Sequence, residues 1–589
     1  MFAQGAFDAV PDGRVLFAAD ARLDNQSDIA AAAGLAKSAS DEASILSIFE
    51  RKSERGIASL LGAFAFAHWN EATGKLVLAR DCLGNRSLFY YKGRDFVAFS
   101  SFLPDLLALP LVPRSLDEAA LASFLAFDFR EKERTVYSGI ARVPARHCVT
   151  ITRDSVDIRA YWQPTVDPRA PTASEDALVD RARALFDRAV ARAIRDTPRV
   201  AVQMSGGLDS TAVAATAIRL GHADVASYTG LPAEGYARDR TGQPFLDERP
   251  LVEALARMYP SLDVHFVTPQ GAHPFHRNPV HHFLNVGGPV RSPVGRAWFD
   301  FIDDAIVKDG HRIVLAGMRG NVGLSWTGDD ALAWLARRRR FGELLREARA
   351  LARTTRQPVW RILATEVLGR MAPRAAHRLY GRLRGRDPDD VSRFSLLNPQ
   401  AIAEFDLPRR WRENGFDPWY RTAYDSVEER SRRMFDLNQT GRDLLAARVL
   451  SKGYEFRDPH ADRELLEFCL TVPETMYRRN GVARSFARRV LMDRLPAEIL
   501  NEKRRGMQVP NWFESLNELK PSLADSISRI ESSPLACRLI DVPRLKRLYS
   551  SWPETLAAAR QRHDEYHLAL DRAVHVGQFI SWVEGGNTF

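Results

Sequence analysis

Along the first 160 residues, short apolar runs alternate with turn-forming clusters. Val15–Ala18, Ala63–Trp69, Leu76–Leu78, Leu88–Tyr91 and Val97–Ser100 read as strands. Glu71-Ala72-Thr73-Gly74, Asp81–Arg86 and Gly93-Arg94-Asp95 read as the turns between them. Helical spacing of apolar residues at Glu42–Glu50 and Leu116–Ala126 adds helices, so residues 1–165 are expected to form a layered α+β domain. Gln163–Ser174 carries three prolines and few apolar residues, which suits an exposed boundary. The period then changes. A helix is expected over Glu175–Arg195 with Ser174 as its N-cap. Apolar strands at Val200–Met204, Val225–Tyr228, Val264–Val267 and Ile313–Ala316 alternate with helices at Thr211–Leu220, Arg249–Met258 and Ala297–Lys308. That alternation implies an α/β domain with a parallel sheet covered on both faces, followed by a mostly helical C-terminal part, over residues 174–589.

Composition narrows this picture. At 589 residues the chain is too long for one core. A hydrophobic fraction of 45% and a charged fraction of 27% exclude a mainly disordered or fibrous protein. The four scattered cysteines form no CxxC pair, which excludes a disulfide scaffold and a thiolate zinc site. No apolar run approaches the roughly 20 residues of a membrane span, and the N-terminus lacks a signal-peptide pattern. A cytoplasmic location is the expectation. The net charge of +9 is unevenly spread: from Leu332 to Arg386 there are 15 arginines, three acids and no lysine. Apolar residues at helical spacing in that stretch (Leu332, Leu335, Phe341, Leu344, Leu345, Ala348, Leu351) predict amphipathic helices, an arginine-rich insertion at about 331–390. Without an interleaved aromatic–basic motif it does not read as a nucleic-acid site. Its charges read first as the solvated face of these helices, and docking of an acidic partner, with Arg337–Arg340 as the contact, is the competing reading.

The stretch with most chemistry is Ser205-Gly206-Gly207-Leu208-Asp209-Ser210, between an apolar strand and a helix. Glycines let backbone N–H groups approach an oxyanion, the hydroxyls of Ser205 and Ser210 can donate, and the helix dipole adds favourable potential. Asp209 would repel a bare phosphate, but fits a bridging divalent cation. There is no Walker lysine. Five specified residues in this order arise by chance on the order of once in 10³ chains of this length. The pattern is the signature of enzymes that split ATP between the α and β phosphates, with Mg2+ held by Asp209. Val202, Met204 and Ser205–Ser210 are the candidate nucleotide residues, joined by Gly317 and Gly320 of a second glycine-rich loop. His273, His276, His281 and His282 lack carboxylates at suitable spacing for a zinc site.

At these residues the sequence resembles the asparagine synthetase family. Arg22-Leu-Asp-Asn25, Leu61-Gly-Ala-Phe-Ala-Phe66, Ala79-Arg-Asp-Cys-Leu-Gly84, Leu88–Tyr91 and Phe99-Ser-Ser101 look like its glutaminase domain. Gly139–Pro144 and Tyr161-Trp162 look like that domain's exit. The resemblance implies an Ntn-type layered glutaminase-like domain followed by a pyrophosphatase-loop synthetase domain of the adenine nucleotide α-hydrolase type. Two departures matter. The family's nucleophilic cysteine directly follows the initiator methionine, and Phe2 stands there, so glutamine hydrolysis is expected to be absent. The loop Leu315–Trp326 carries Asn321 and Val322 where the family has an Asp-Glu pair whose Asp helps hold magnesium.

The form GN-x-x-L-S-W at Gly320–Trp326 looks like the lasso-peptide macrolactam synthetases of this superfamily. So do Glu455-Phe-Arg-Asp-Pro-His-Ala-Asp462 with Glu467-Phe-Cys469, and Lys503-Arg-Arg-Gly-Met-Gln508 with Trp512. The resemblance implies adenylation of an internal Asp or Glu side chain of a precursor peptide. Attack by its N-terminal amine would then close an isopeptide-bonded ring and release AMP. Lys503 matches the family's catalytic lysine beside the α-phosphate, and Glu455 is the candidate base or orienting carboxylate, assisted by Tyr454. The implied partners are the precursor, a leader-peptide-binding protein and a leader peptidase, with the precursor's leader or that peptidase as the acidic partner for Arg337–Arg340. An ammonia-dependent asparagine synthetase and a β-lactam-synthetase-like enzyme are the alternatives.

Overall fold

A computed structural model describes residues 8–9, 15–165, 173–232, 247–385, 390–418, 430–431, 434–435, 439–504, 506 and 509–586. The N-terminal half is built on two antiparallel sheets. Six strands run in the order β1 (Asp8–Ala9), β2 (Val15–Leu23), β3 (Gly62–Asn70), β4 (Lys75–Arg80), β8 (His147–Ile151), β9 (Val156–Ala160). Three more run in the order β6 (Val97–Ser100), β5 (Phe89–Lys92), β7 (Ile140–Arg142). Strand β3 shows why the layers stack. Its residues alternate between two faces. Phe64 and Phe66 pack with Ile29, Ile45 and Ile48 of the helices Gln26–Ala33 and Asp41–Lys52, while Ala65 and Ala67 pack with Leu88, Tyr90 and Val143 from around the second sheet.

The second half is built on five parallel strands in the order β12 (Leu262–Val267), β11 (Val225–Gly230), β10 (Val200–Gln203), β13 (Ile313–Leu315), β14 (Glu455–Arg457). Helices α1 (Glu175–Ile194), α2 (Leu208–Arg219), α3 (Arg249–Met258) and α4 (Pro293–Lys308) cover the sheet, and the Ser174 hydroxyl caps α1 through the Ala177 N–H. Strand order reverses beside β10, so the crevice beyond its carboxyl end, between β10 and β13, is the switch point where such sheets bind ligands.

The arginine-rich segment forms a small satellite core. Leu332 and Leu335 pack with Leu344, Ala348 and Leu351 of α5 (Phe341–Thr355) and with Ile362 and Val367. The segment ends in α6 (Arg374–Leu383). Helices α7 (Gln439–Lys452), α8 (Trp512–Ser532) and α9 (Asp571–Glu584) complete the chain.

The expected exposed boundary is exposed where it is described, at Gln163, Thr165, Ala173 and Ser174. Residues 166–172 lie outside the described residues. Just before them, Trp162 is buried against Phe435 (ring centroids 5.2 Å apart), with the Arg463 guanidinium 4.3 Å from its ring. Cys82 and Leu83 join the core of the parallel-sheet half, and Tyr137 packs edge-on against Phe579 of α9. The two halves therefore share buried apolar surface.

Candidate active site

The turn from β10 into α2 is held by its own hydroxyls. The Ser205 N–H donates to Ser210 Oγ (3.0 Å), the Gly207 N–H to Ser205 Oγ (3.3 Å), and the Thr211 hydroxyl to the Gly207 carbonyl (2.6 Å). Gly206 is required by packing, since a Cβ there would lie 2.8 Å from Leu251 Cδ1 of α3. Gly207 borders free space, and a Cβ would meet only Ser205 Oγ at 3.2 Å. The loop thus offers backbone donors at the start of a twelve-residue helix, which suits a phosphate chain. The side chains of Val202, Met204 and Leu208, expected among the nucleotide residues, are core residues, so contact with a nucleotide falls to the backbone there.

Gly317 and Gly320 do not line an open nucleotide surface. Their loop, which follows β13, lies on Asp209: a Cβ on Gly317 would come 2.6 Å from the Asp209 carbonyl carbon, and one on Gly320 2.1 Å from Asp209 Oδ1. The opposite side is covered by His460, whose Nε2 is 3.3 Å from the Asp209 carbonyl oxygen and 4.0 Å from Oδ1. Asp209 Oδ1 is buried and accepts no hydrogen bond. An orphaned carboxylate oxygen is the donor a hard divalent cation takes, so Asp209 fits Mg2+. Among the described residues, no group of three His, Cys, Asp or Glu is arranged for a metal. Asn321 Oδ1 accepts from Arg484 Nη2 at 2.7 Å, so a guanidinium meets the position where the resemblance places a second metal carboxylate.

The turn after β14 ties these loops together. Asp458 accepts from the Arg319 N–H (2.9 Å) and the His460 N–H (3.1 Å), and burial pushes its carboxyl up to about 6, against the pull of His460 and these donors.

A cavity of about 670 Å3 lies between the two halves, lined by Asp20, Arg22 and Arg86 on one side and Arg319, Glu455 and Asp458 on the other. Glu455 is gripped by three guanidinium groups: Arg457 Nη2 (2.6 Å), Arg86 Nη2 (3.2 Å) and Arg22 Nε (3.3 Å). Burial alone would raise its carboxyl, but the Arg457 hydrogen bond and the charges of Arg86, Arg457 and Arg22 hold it below the ordinary range. A carboxylate so acidic orients an amine better than it deprotonates one. Tyr454, expected to assist, is buried and its hydroxyl accepts from Arg448 Nη2 (3.2 Å), while burial pushes that hydroxyl well above the ordinary phenol range. This commitment fits a structural role rather than proton transfer.

Lys503 is exposed. Arg505, Met507 and Gln508 of its box lie outside the described residues, as does Phe2. The neighbouring Gly506 comes so close to Glu248 that a Cβ would sit 2.2 Å from Oε1, and Glu248 in turn accepts the N–H of Gly206. Burial pushes the Glu248 carboxyl up to about 7, partly offset by that N–H. The Lys503 loop and the Gly206 loop therefore meet through one carboxylate.

Glu248, His460, Arg22 and Arg86 were not reached by sequence reasoning as site residues. His460 and Arg22 lie inside the Glu455–Asp462 and Arg22–Asn25 motifs; Glu248 carries no local signal. The four histidines of the Pro/Gly-rich loop have separate partners, among them Asp304 for His273 (3.0 Å), Asp571 for His276 (2.9 Å) and Asn285 for His281 (2.9 Å). None of the four cysteines is set up as a thiolate. Burial pushes Cys82 and Cys469 up to about 12 and Cys148 higher still, and Cys537 is also raised.

The asparagine synthase family profile matches residues 181–582, and the glutamine amidotransferase domain profile matches residues 24–162. Asparagine synthetase [glutamine-hydrolyzing] 3 of Bacillus subtilis is 33% identical over 184 residues, 31% of this chain and 29% of that protein. A putative asparagine synthetase of Mycobacterium tuberculosis H37Rv is 30% identical over 203 residues, 33% and 31% of the two chains. The amidase chry2 of Gibberella zeae is 26% identical over 173 residues, 29% and 25%. The chain thus spans less than a third of the length of these curated relatives. Superposition on the glutamine phosphoribosylpyrophosphate amidotransferase of B. subtilis, complexed with ADP and GMP, covers 46% of this chain and 65% of that one. It does so at 15% identity with a TM-score of 0.20, and carries no argument.

Proposed function

The chain belongs to the asparagine synthase family, and we propose that it is an ATP-dependent, AMP-forming amide ligase of the lasso-peptide macrolactam synthetase type. In this reading a side-chain carboxylate of a precursor peptide attacks the α-phosphorus of ATP, and the bond to the β-phosphate breaks to release pyrophosphate. The peptide's N-terminal amine, having lost a proton, then attacks the acyl carbon. AMP leaves with the bonding pair, and an isopeptide bond closes the ring.

This chain's residues divide the work. The N–H groups of the first turn of α2 and its dipole hold the phosphates, joined by the Gly206 N–H once it exchanges Glu248 for a phosphate oxygen. Mg2+ on Asp209 would neutralise phosphate charge. Lys503 is the cation for the α-phosphate, and ionised Glu455 orients the attacking amine. The precursor, a leader-peptide-binding protein and a leader peptidase are the proposed partners.

The observation that carries this reading is the 670 Å3 cavity, walled by residues of both halves, Glu455 among them. Ammonia needs no such volume, whereas a folded peptide segment held for ring closure does. A second reading, synthesis of asparagine from aspartate, is supported by the names of the relatives. One incubation series separates the two. With ATP, aspartate and ammonium, the proposal expects no asparagine above background. Asparagine formed at several turnovers per minute would instead support the second reading.

A further inference from the structure

The arginine-rich segment exposes the wrong face of a helix. In α6, Ala376, Leu379, Tyr380 and Leu383 recur at i, i+3, i+4 and i+7, the stripe a surface helix ordinarily turns inward. All four are exposed: Leu379 by 61%, Tyr380 by 54% and Leu383 by 77%. The buried side is instead Gly381, with His377 Nε2 anchored 2.7 Å from the Gly369 carbonyl oxygen. Trp360 and Leu368, nearby in the same segment, are exposed by 70% and 68%.

Charge identifies what covers this stripe. Residues 331–385 carry fourteen arginines, three acids and no lysine, a net charge of +11. A second copy would set +11 against +11, which disfavours self-pairing through this face. Arg382 and Arg384 flank the stripe, with the Arg384 guanidinium 4.9 Å from the Tyr380 ring. The Arg337–Arg340 run, the expected docking contact, is exposed as well, with Arg338 and Arg340 over Trp334 and Arg340 paired with Glu343.

We propose that α6 seats the protein on an anionic lipid surface, its apolar stripe in the headgroup–acyl boundary and its arginines on the phosphates. The apolar tips stand out from the surface, as insertion into a soft planar phase requires, and arginine stems reach back to headgroups. Each basic residue adds attraction that falls off within a Debye length. No helix among the described residues is long and apolar enough to cross a membrane, so the contact is with the surface.

The full chain is sedimented with extruded vesicles of phosphatidylcholine and phosphatidylglycerol at 70:30, and with phosphatidylcholine alone. The proposal expects at least about tenfold stronger partitioning onto the anionic vesicles, reversed by 0.5 M NaCl. L379A/L383A, which keeps every charge, and R382Q/R384Q, which keeps the stripe, are each expected to weaken it at least about tenfold at an unchanged Tm. Equal binding to both vesicle types, no binding, or binding unaffected by L379A/L383A would overturn the proposal. So would vesicle-independent capture of a synthetic acidic amphipathic peptide through Leu379 and Leu383, which would assign the face to a protein.

Discussion

Arg86 and Glu455 lie 369 positions apart in the chain and meet with Nη2 3.2 Å from Oε1. One belongs to the amidotransferase-like half and the other to the strand β14 that carries the candidate site, so the first half joins Arg457 in holding a carboxylate of the second ionised and in place. This is a physical reason to keep that half, whatever its own chemistry. Glu455→Gln leaves three guanidinium groups without their shared anion, which is expected to cost about 2 kcal/mol and lower the Tm by about 2 °C in a chain of this length. Arg86→Met leaves Arg457 in place and is expected to cost about half as much. The Glu455 carboxyl is depressed in the folded state. Its contribution is therefore present above the unfolded value near 4.3 and is lost as pH falls through the folded one. Thermal scans from pH 7 to pH 3 read this: the two proteins should converge at the acid end. A constant gap at all pH values would contradict it.

Two glycines separate binding from folding. Gly207 has φ −80°, which any residue adopts, and a Cβ there touches only Ser205 Oγ. Gly207→Ala is expected to keep the Tm within about 1 °C, yet weaken ATP at least about tenfold, because the methyl occupies the phosphate cradle. Gly320→Ala drives a Cβ into Asp209, so both stability and binding should fall, stability by about 1–3 kcal/mol. Equilibrium binding of a fluorescent ATP analogue, beside thermal scans, tests the pair. Equal behaviour of the two variants would contradict this assignment.

Glu248 holds an N–H of the cradle that a phosphate would claim. Its carboxyl is raised to about 7, so ionising it costs more in the folded than in the unfolded chain. That destabilisation is absent below the unfolded value near 4.3, grows as pH rises, and is complete above about 7. Glu248→Gln should therefore raise the Tm at pH 8 and leave it unchanged near pH 4. The same substitution should tighten ATP above pH 7, where the native carboxylate competes with the phosphates. A stabilisation independent of pH would point to packing instead.

Buried thiols predict selective chemistry. Cys82, Cys148 and Cys469 are buried with raised thiols, whereas Cys537 is half-buried. Iodoacetamide at pH 8 should label Cys537 first in the folded protein and the other three only on unfolding. Peptide mass mapping reads the order, and early labelling of Cys82 would contradict it.

Much of the parallel sheet was legible in the sequence, because Val200–Val202 and Ile313–Leu315 are apolar runs that a buried parallel strand requires, and Val225–Tyr228 and Val264–Val267 keep enough β-branched and aromatic residues to read as strands. β14 was not, since Glu455-Phe456-Arg457 is three residues long and two-thirds charged; pairing with Ile313–Leu315 makes it a strand. The Ser205–Ser210 loop was legible as an anion cradle, but burial of Val202, Met204 and Leu208 beneath it was not, because local sequence does not say which apolar residues face a ligand. Glu248 could not be found from its neighbours: it acts through the close approach of Gly206 and Gly506, a tertiary relation. The basic helices were expected as amphipathic: α5 turns Leu344, Ala348 and Leu351 inward, whereas α6 carries its stripe outward, with His377 held by the Gly369 carbonyl and Gly381 buried on the other side.

The central claim is tested most directly by mass spectrometry of a candidate precursor core peptide incubated with ATP, Mg2+ and the full chain. Ring closure predicts loss of one water from the peptide, with one AMP and one pyrophosphate released per ring. Asp209→Asn should abolish it, and Glu455→Gln should slow it at least about tenfold. An unchanged peptide mass alongside asparagine formed from aspartate and ammonium would contradict it.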